Sequence, residues 1–118
     1  MSDVIIASQQ KEICKKYNAE FMICDEGLMV GVGKSLNSGM MPLNGLRHNP
    51  EGQGTGWFIW AGGEIPSGEK FFEPVHAKHV KEDYPNIFKF LSLAPGWRFQ
   101  IDDKGYEDVW FDEKLLED

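Results

Sequence analysis

The sequence has few cysteines and no long apolar run. Its two cysteines, Cys14 and Cys24, match no zinc or redox spacing. No secretory signal is recognisable, since the apolar run at residues 4–6 is too short, and we expect a cytoplasmic protein with reduced thiols. No stretch approaches the roughly 18 apolar residues of a membrane span. A thiol nucleophile working with His48 or His76 has no local sequence support.

Basic residues are also scarce. The chain has 12 Lys and Arg against 19 Asp and Glu, which gives a net charge of −7. A nucleic-acid binder would need a basic patch to neutralise phosphates, and an anionic membrane surface would repel this chain. A basic protein is the complementary partner.

The most informative stretch that is present is the apolar run at residues 57–61, which holds Trp57 and Trp60 and is bounded by Gly56 and Gly62. A short, aromatic, glycine-bounded run predicts a strand buried on both faces, and therefore an interior strand of a sheet. With 118 residues the chain is long enough for a single domain. We predict an α+β fold with a mostly antiparallel sheet, an N-terminal helix and a helical segment before a C-terminal hairpin.

Turn residues and periodicity divide the rest of the chain. A helix capped by Asp3 is predicted over residues 4–17. The other predicted elements are a hairpin of residues 20–24 and 28–33, a long loop at 34–54, helices at 76–83 and 85–91, and a last hairpin of residues 97–101 and 106–111.

Two motifs could carry chemistry but have simpler explanations. Residues 31–35, Gly-Val-Gly-Lys-Ser, resemble the end of a phosphate-binding loop, but the required earlier glycine is replaced by Leu28 and no long helix follows. His76 and His79 lie three residues apart on a predicted helix and could bind a metal together with His48. A polar helix surface explains the pair equally well, so they are only weak metal candidates.

A set of polar and aromatic residues could converge in a binding pocket. The members are Arg47, His48, Trp57, Trp60 and Glu64. No nucleophile is paired with a base among them, so the set favours recognition over catalysis. A structural role is the alternative, with Arg47 tying its loop to the sheet.

The last predicted hairpin offers a second polar pair. Arg98 is expected to face Glu107 or Asp108 across the two strands, beside Trp97. An exposed pair of this kind would contribute less than about 1 kcal/mol to stability, which is again a structural role.

Five segments together resemble a known family. They are residues 39–48, 56–62, 71–76, 93–99 and 105–110, of which the Gly-Trp strand and the Pro-Gly-Trp-Arg-Phe turn are the most specific. They resemble the type thirty-three family of bacterial immunity proteins from polymorphic toxin systems, first described as a domain of unknown function. The resemblance covers residues 24–110. The single domain 1–118 then consists of a helical segment 1–19 outside the family core, a core at 20–111 and an acidic tail at 112–118.

The resemblance implies an α+β fold and a non-enzymatic protein that neutralises a cognate toxin by binding it. It implies no catalytic residues and no cofactor. The expected binding residues are Arg47, His48, Trp57, Trp60, Glu64, Trp97, Arg98, Glu107 and Asp108. The alternative is a small-molecule or metal-dependent protein that uses an Arg47/His48/Glu64 pocket. A homo-oligomer with a Trp-rich interface is a third hypothesis, which a monomeric mass in solution would remove.

Overall fold

The structure is a computed structural model that describes residues 3–63 and 71–117. Its helices and strands are α1 (Asp3–Lys16), β1 (Met29–Gly33), β2 (Leu43–Arg47), β3 (Gly54–Ala61), β4 (Phe72–His76), α2 (Ala77–Asp83), α3 (Pro85–Phe88), β5 (Trp97–Ile101) and β6 (Glu107–Phe111). Short 3-10 helices lie at Lys34–Asn37 and Glu113–Leu116. In the described ranges, no helix is both long enough and apolar enough to cross a membrane.

All six strands form one sheet in the order β4-β1-β3-β2-β5-β6. Only the β1–β3 pair is parallel, and the other four pairs are antiparallel. The predicted α+β fold with a mostly antiparallel sheet is therefore confirmed. The aromatic strand β3 is interior, as predicted, while β4 and β6 form the two edges and β4 carries a proline, Pro74.

The two faces of the sheet are covered differently. Successive side chains of a strand point to opposite faces, so Trp57 and Trp60 of β3 lie on different sides. Trp57 belongs to the main core, which contains the buried residues of α1, α2 and α3, and we call this side the helix face. Trp60 belongs to a smaller cluster with Leu46 and Leu115, flanked by partly buried phenylalanines, and we call this side the open face.

Glycines in the strands allow aromatic rings to lie directly on the sheet. A Cβ atom at Gly45 would lie 2.2 Å from Cε2 of Phe99 on the helix face. A Cβ atom at Gly31 would lie 2.5 Å from Cδ1 of Phe58 on the open face. Because real Cβ atoms do not approach ring carbons so closely, these two positions require glycine.

The predicted N-terminal helix is confirmed as α1. Ile6 and Ile13 lie in the core, as the helical spacing predicts. The Asp3 carboxylate lies 2.6 Å from Nζ of Lys81, which also lies 3.2 Å from Glu26, so this side chain connects the start of α1 to α2.

The predicted hairpin of residues 20–24 and 28–33 is wrong in its first half. Within residues 20–24 only Phe21 forms a bridge, and its partner is Leu93. The amide of Met22 donates to the carbonyl of Ser92 at 2.8 Å, and the carbonyls of Met22 and Ile23 accept from Arg47. These contacts fix the segment beside residues 91–94, so β1 pairs instead with β3 and β4.

The predicted loop at 34–54 is also wrong in part, because it contains β2. Asn44 and Gly45 are residue types that favour turns, but both lie within β2 because of long-range contacts. The Asn44 amide donates to the carbonyl of Gly62 at 2.8 Å, and its oxygen accepts from Gln100 at 2.9 Å. Two smaller differences concern β4, which was not predicted as a strand, and α3, which is shorter than residues 85–91.

We expect Gly45→Ala to destabilise the fold. The new methyl group must displace Phe99, which is 1% exposed and stacked on Phe90 with ring centroids 5.0 Å apart. The expected loss in free energy of unfolding is about 1–3 kcal/mol, measured by urea denaturation.

Gly63→Ala is the matched control, because no atom of the described residues other than its chain neighbours lies within 4 Å of the added Cβ there. Its effect should stay within about 0.5 kcal/mol. Equal losses in the two variants would contradict the packing argument.

Candidate functional site

The predicted pocket of Arg47, His48, Trp57, Trp60 and Glu64 does not form as one unit. Arg47 and Trp57 lie in the interior on the helix face, with the guanidinium carbon 5.7 Å from the Trp57 ring centre. Trp60 lies on the open face, and His48 is exposed. Glu64 lies outside the described residues.

Arg47 is a structural residue at the centre of the molecule. Its side chain is 2% exposed and donates to backbone carbonyls rather than to a carboxylate. Nε donates to Thr55 at 3.0 Å, and Nη1 to Met22 at 3.0 Å and to Leu93 at 2.9 Å. Two longer hydrogen bonds of 3.4 Å join Nη1 to the carbonyl of Leu91 and Nη2 to the carbonyl of Ile23. The contacts of Arg47 are structural, but they differ from the predicted tie between its loop and the sheet, because Arg47 lies in β2 and joins residues 22–23 and 91–93 to the sheet.

Burial controls the ionisation of the groups around Arg47. Desolvation lowers the pKa of Arg47 from its ordinary value, and the charge interaction with Cys24 partly opposes this. Desolvation also raises the pKa of Cys24 to about 12, although the charge of Arg47 acts to lower this pKa. Cys14 is buried as well, and burial raises the pKa of its thiol. Both thiols are therefore poor nucleophiles at neutral pH.

The three predicted tryptophans are largely packed inside the protein. The Trp57 indole N–H donates to the carbonyl of Leu91 at 2.9 Å, and the Trp60 N–H donates to Gly63 at 3.1 Å. Both side chains are at most 2% exposed. Trp97 is half-buried and packs edge-on against Phe111.

The predicted pairing of Arg98 with Glu107 or Asp108 is wrong. Arg98 lies opposite Trp110, and its Nη1 contacts the Asp112 carboxylate at 3.2 Å, because the register places Glu107 opposite Ile101. Glu107 accepts hydrogen bonds from Tyr17 and from Lys16 of α1. Burial raises the pKa of Glu107, but these hydrogen bonds outweigh it, so the pKa is lowered overall. Asp108 is exposed.

The histidines are not gathered into one site. The rings of His76 and His79 lie 6.1 Å apart, and His79 is 3.7 Å from Glu82. His48 lies elsewhere, with Nδ1 3.1 Å from the carbonyl oxygen of Leu115. Over residues 3–63 and 71–117, no group of three or more His, Cys, Asp or Glu side chains could hold a metal ion.

A groove of about 780 Å³ lies at the open face. It is lined by residues of β1, β3 and β4, by residues 48–51 and by the C-terminal segment. The rings of Phe58 and Phe72 pack edge to face at 5.3 Å, and His48 packs edge-on against Phe58 at 5.7 Å. We call this feature the open-face groove.

The ionisable groups of the open-face groove are mostly acidic. Its described lining contains Glu51, Glu73 and Glu117 together with His48, and no Lys or Arg. Glu73 lies opposite Val32, which packs against the helix-face core, so the Glu73 side chain points to the helix face and only its backbone lines the groove. All three carboxylates are exposed. None of them takes part in an ion pair with another described residue. His48 must carry its proton on Nδ1 to donate to Leu115, which fixes its ring beside Phe58.

Sequence reasoning found only part of this groove. His48 and Trp57 were among the predicted residues, but Phe58, Phe72 and the three glutamates were not. The sequence signal for the position of Phe58 was the alternation within β3 together with Gly31, whose missing side chain makes room for the Phe58 ring. No local signal joins Glu51 and Glu117, because only the fold brings them to one groove.

One comparison with known proteins gave a match. The family model of the Imm33-like domain matches residues 9–112. The match begins within α1 and so extends beyond the residues 24–110 that carry the resemblance in the sequence. No curated protein and no solved structure matches the chain.

We expect Arg47→Lys to be strongly destabilising. A single ammonium group cannot replace the guanidinium at carbonyls from three separate segments, so buried acceptors would lose their donors. The expected loss is at least about 3 kcal/mol in urea denaturation. Arg98→Lys, the same exchange at a half-buried surface pair, should cost less than about 1 kcal/mol. Similar losses in both variants would contradict the structural role of Arg47.

We expect both thiols to resist alkylation in the folded protein. Cys14 and Cys24 are 5% and 3% exposed, and burial raises the pKa of each. Iodoacetamide at mildly alkaline pH should modify them at least about 100-fold more slowly than in urea, as followed by mass spectrometry. Comparable rates in the folded and unfolded chain would show that these segments open readily.

Proposed function

Because the chain belongs to the Imm33-like family, we propose that it is a non-enzymatic immunity protein that neutralises a cognate toxin by direct binding in the cytoplasm. The toxin is a protein with a basic binding surface, and the open-face groove is where it docks. The observation that carries the proposal is the groove itself, which is concave and lined by Phe58 and Phe72 together with the exposed residues Glu51 and Glu117.

The position of the groove supports a docking role. The buried residues of the three helices all belong to the helix face, so those helices leave the groove uncovered. Aromatic residues are favoured in binding interfaces because they contribute large contact areas with few rotatable bonds. The net charge of −7 would accelerate the approach of a basic partner.

The side chains of the groove favour recognition over covalent chemistry. Its described lining contains no Ser, Thr, Cys or Lys that could act as a nucleophile beside His48. The alternative small-molecule pocket would need Arg47, but that guanidinium is already bonded to backbone carbonyls. No contact among the described residues favours that alternative.

The test is co-expression with the toxins encoded beside this gene. The wild-type chain should restore growth and form a complex with one of them, detected by size-exclusion chromatography of the purified pair. Glu51→Arg places a bulky cation in the lining of the groove and should weaken the complex at least about tenfold. Glu12→Arg makes the same charge change on an exposed position of α1 outside the groove and should still protect.

Two results would count against the proposal. Absence of protection and of a complex with every neighbouring toxin would reject the immunity function. Protection that Glu51→Arg and Glu12→Arg retain equally would keep the function but reject the groove as its docking site.

A further inference from the structure

We propose that residues 20–24 receive an extended segment of a protein partner, which adds to them as a β-strand and carries basic side chains at its two ends. We call residues 20–24 the free edge. They form none of the six strands of the sheet, and none of them lines the open-face groove. The free edge is therefore a second surface, separate from the proposed docking site.

One side of the free edge is already paired within the chain. The Met22 amide donates to the carbonyl of Ser92 at 2.8 Å, and the Met22 carbonyl accepts from Arg47 at 3.0 Å. Phe21 forms a bridge to Leu93 in the same antiparallel pairing. Because the backbone groups of successive residues in an extended segment point to opposite sides, those of Phe21 point away from this pairing.

The other side of the free edge has no partner. In the part of the chain that the structure describes, the N–H and C=O groups of Phe21 and the N–H group of Ile23 make no hydrogen bond. The Ile23 carbonyl accepts only at 3.4 Å, from Nη2 of Arg47. Since Phe21 and Ile23 are 44% and 70% exposed, a neighbouring strand can reach these groups and pair with them.

The free edge lacks the features that protect the two edges of the sheet. Of those edges, β4 carries Pro74, and β6 carries Glu107 and Asp108. Prolines and charges at such positions prevent unwanted pairing. Residues 21–24, Phe-Met-Ile-Cys, contain neither. An exposed edge without this protection is suited to the addition of a strand from a partner.

The exposed side chains indicate that the added strand is apolar at its centre. Side chains two residues apart in an extended segment point the same way, so those of Phe21 and Ile23 project together. Cys24 projects to the other side, into the core, and is 3% exposed. Apolar side chains on the added strand would cover the Phe21 and Ile23 side chains.

Acidic residues at the two ends of the free edge favour a basic partner. Glu20 lies at one end and Asp25 follows the other, and both are exposed. Neither forms an ion pair with another described residue. No Lys or Arg occurs between residues 17 and 33. Basic side chains at the ends of an extended partner would therefore be attracted to both ends of the free edge.

The same charges disfavour a second copy of this chain as the occupant. Two free edges paired side by side would bring the Glu20 and Asp25 carboxylates of the two copies close together, in either strand direction. Like charges on neighbouring strands are destabilising. A basic extended segment of another protein meets no such repulsion.

The experiment is an NMR titration of the ¹⁵N-labelled full chain with a short blocked peptide in which alternating valines and threonines lie between terminal lysines. Saturable shifts and slower hydrogen exchange are expected at the amides of Phe21 and Ile23. The same peptide with its valine and threonine amides N-methylated keeps its side chains and charges but loses these hydrogen-bond donors. It should bind at least about tenfold more weakly. A peptide with terminal glutamates should bind at least about threefold more weakly.

A matched pair of variants tests the apolar contact. Ile23→Ser truncates an apolar side chain that is 70% exposed and should weaken binding of the lysine peptide at least about fivefold. Val4→Ser makes a similar change on α1, where the side chain is 79% exposed, and should stay within about twofold of the wild type.

A second matched pair tests the charges. E20Q/D25N removes the two carboxylates at the ends of the free edge and should weaken binding of the lysine peptide at least about threefold. E12Q/D103N removes two charges at exposed positions away from the free edge and should stay within about twofold of the wild type.

Several outcomes would overturn the inference. They are absence of saturable shifts at the free edge, equal binding of the methylated and unmethylated peptides, and equal effects within either pair of variants. A dimeric mass in solution that Ile23→Ser converts to a monomer would assign the free edge to a second copy instead. The titration uses no toxin and does not involve the groove, so its failure leaves the co-expression result unaffected. Absence of toxin protection would likewise leave the titration unaffected.

Discussion

A single buried guanidinium connects the parts of this protein that are far apart in sequence. Arg47 reaches from β2 to carbonyls at residues 22–23, at Thr55 and at residues 91–93. Without it, the extended segment after α1 and the turn before β5 would each present carbonyls to the interior with no donor. Because the guanidinium of Arg47 is already hydrogen-bonded to these carbonyls, the residue stabilises the interior and is not available to a ligand. The proposed docking site is accordingly assigned to the opposite face.

Much of the fold could be predicted because its signals are local. The spacing of Ile6 and Ile13 predicts α1, the glycine-bounded aromatic run predicts β3, and the alternation at residues 97–101 predicts β5. The errors occurred where a long-range contact overrides local preference. Residues 20–24 are extended but bonded to Arg47 and Ser92 instead of a hairpin partner, and Asn44-Gly45 is a strand because Phe99 and Gln100 need those residues.

The site was less predictable than the fold. Trp57 and Trp60 were correctly assigned to one interior strand, but residues three apart on a strand lie on opposite faces, so they cannot frame one pocket. The lining of the groove comes from β1, β3 and β4, from the turn after β2 and from the C-terminal segment, which meet only through the sheet order. Register likewise decided the partner of Arg98, which is Asp112 rather than either acidic residue of β6.

The proline within β4 limits how the sheet can grow. Pro74 lies on an edge strand and has no N–H to offer, so a further strand from another molecule would meet a gap in the ladder there. At the opposite edge, β6 carries Glu107 and Asp108, and two such edges would bring like charges together. Both edges of the sheet are thereby protected against edge-to-edge aggregation. Another protein would therefore bind to a face of the sheet and not to its edges.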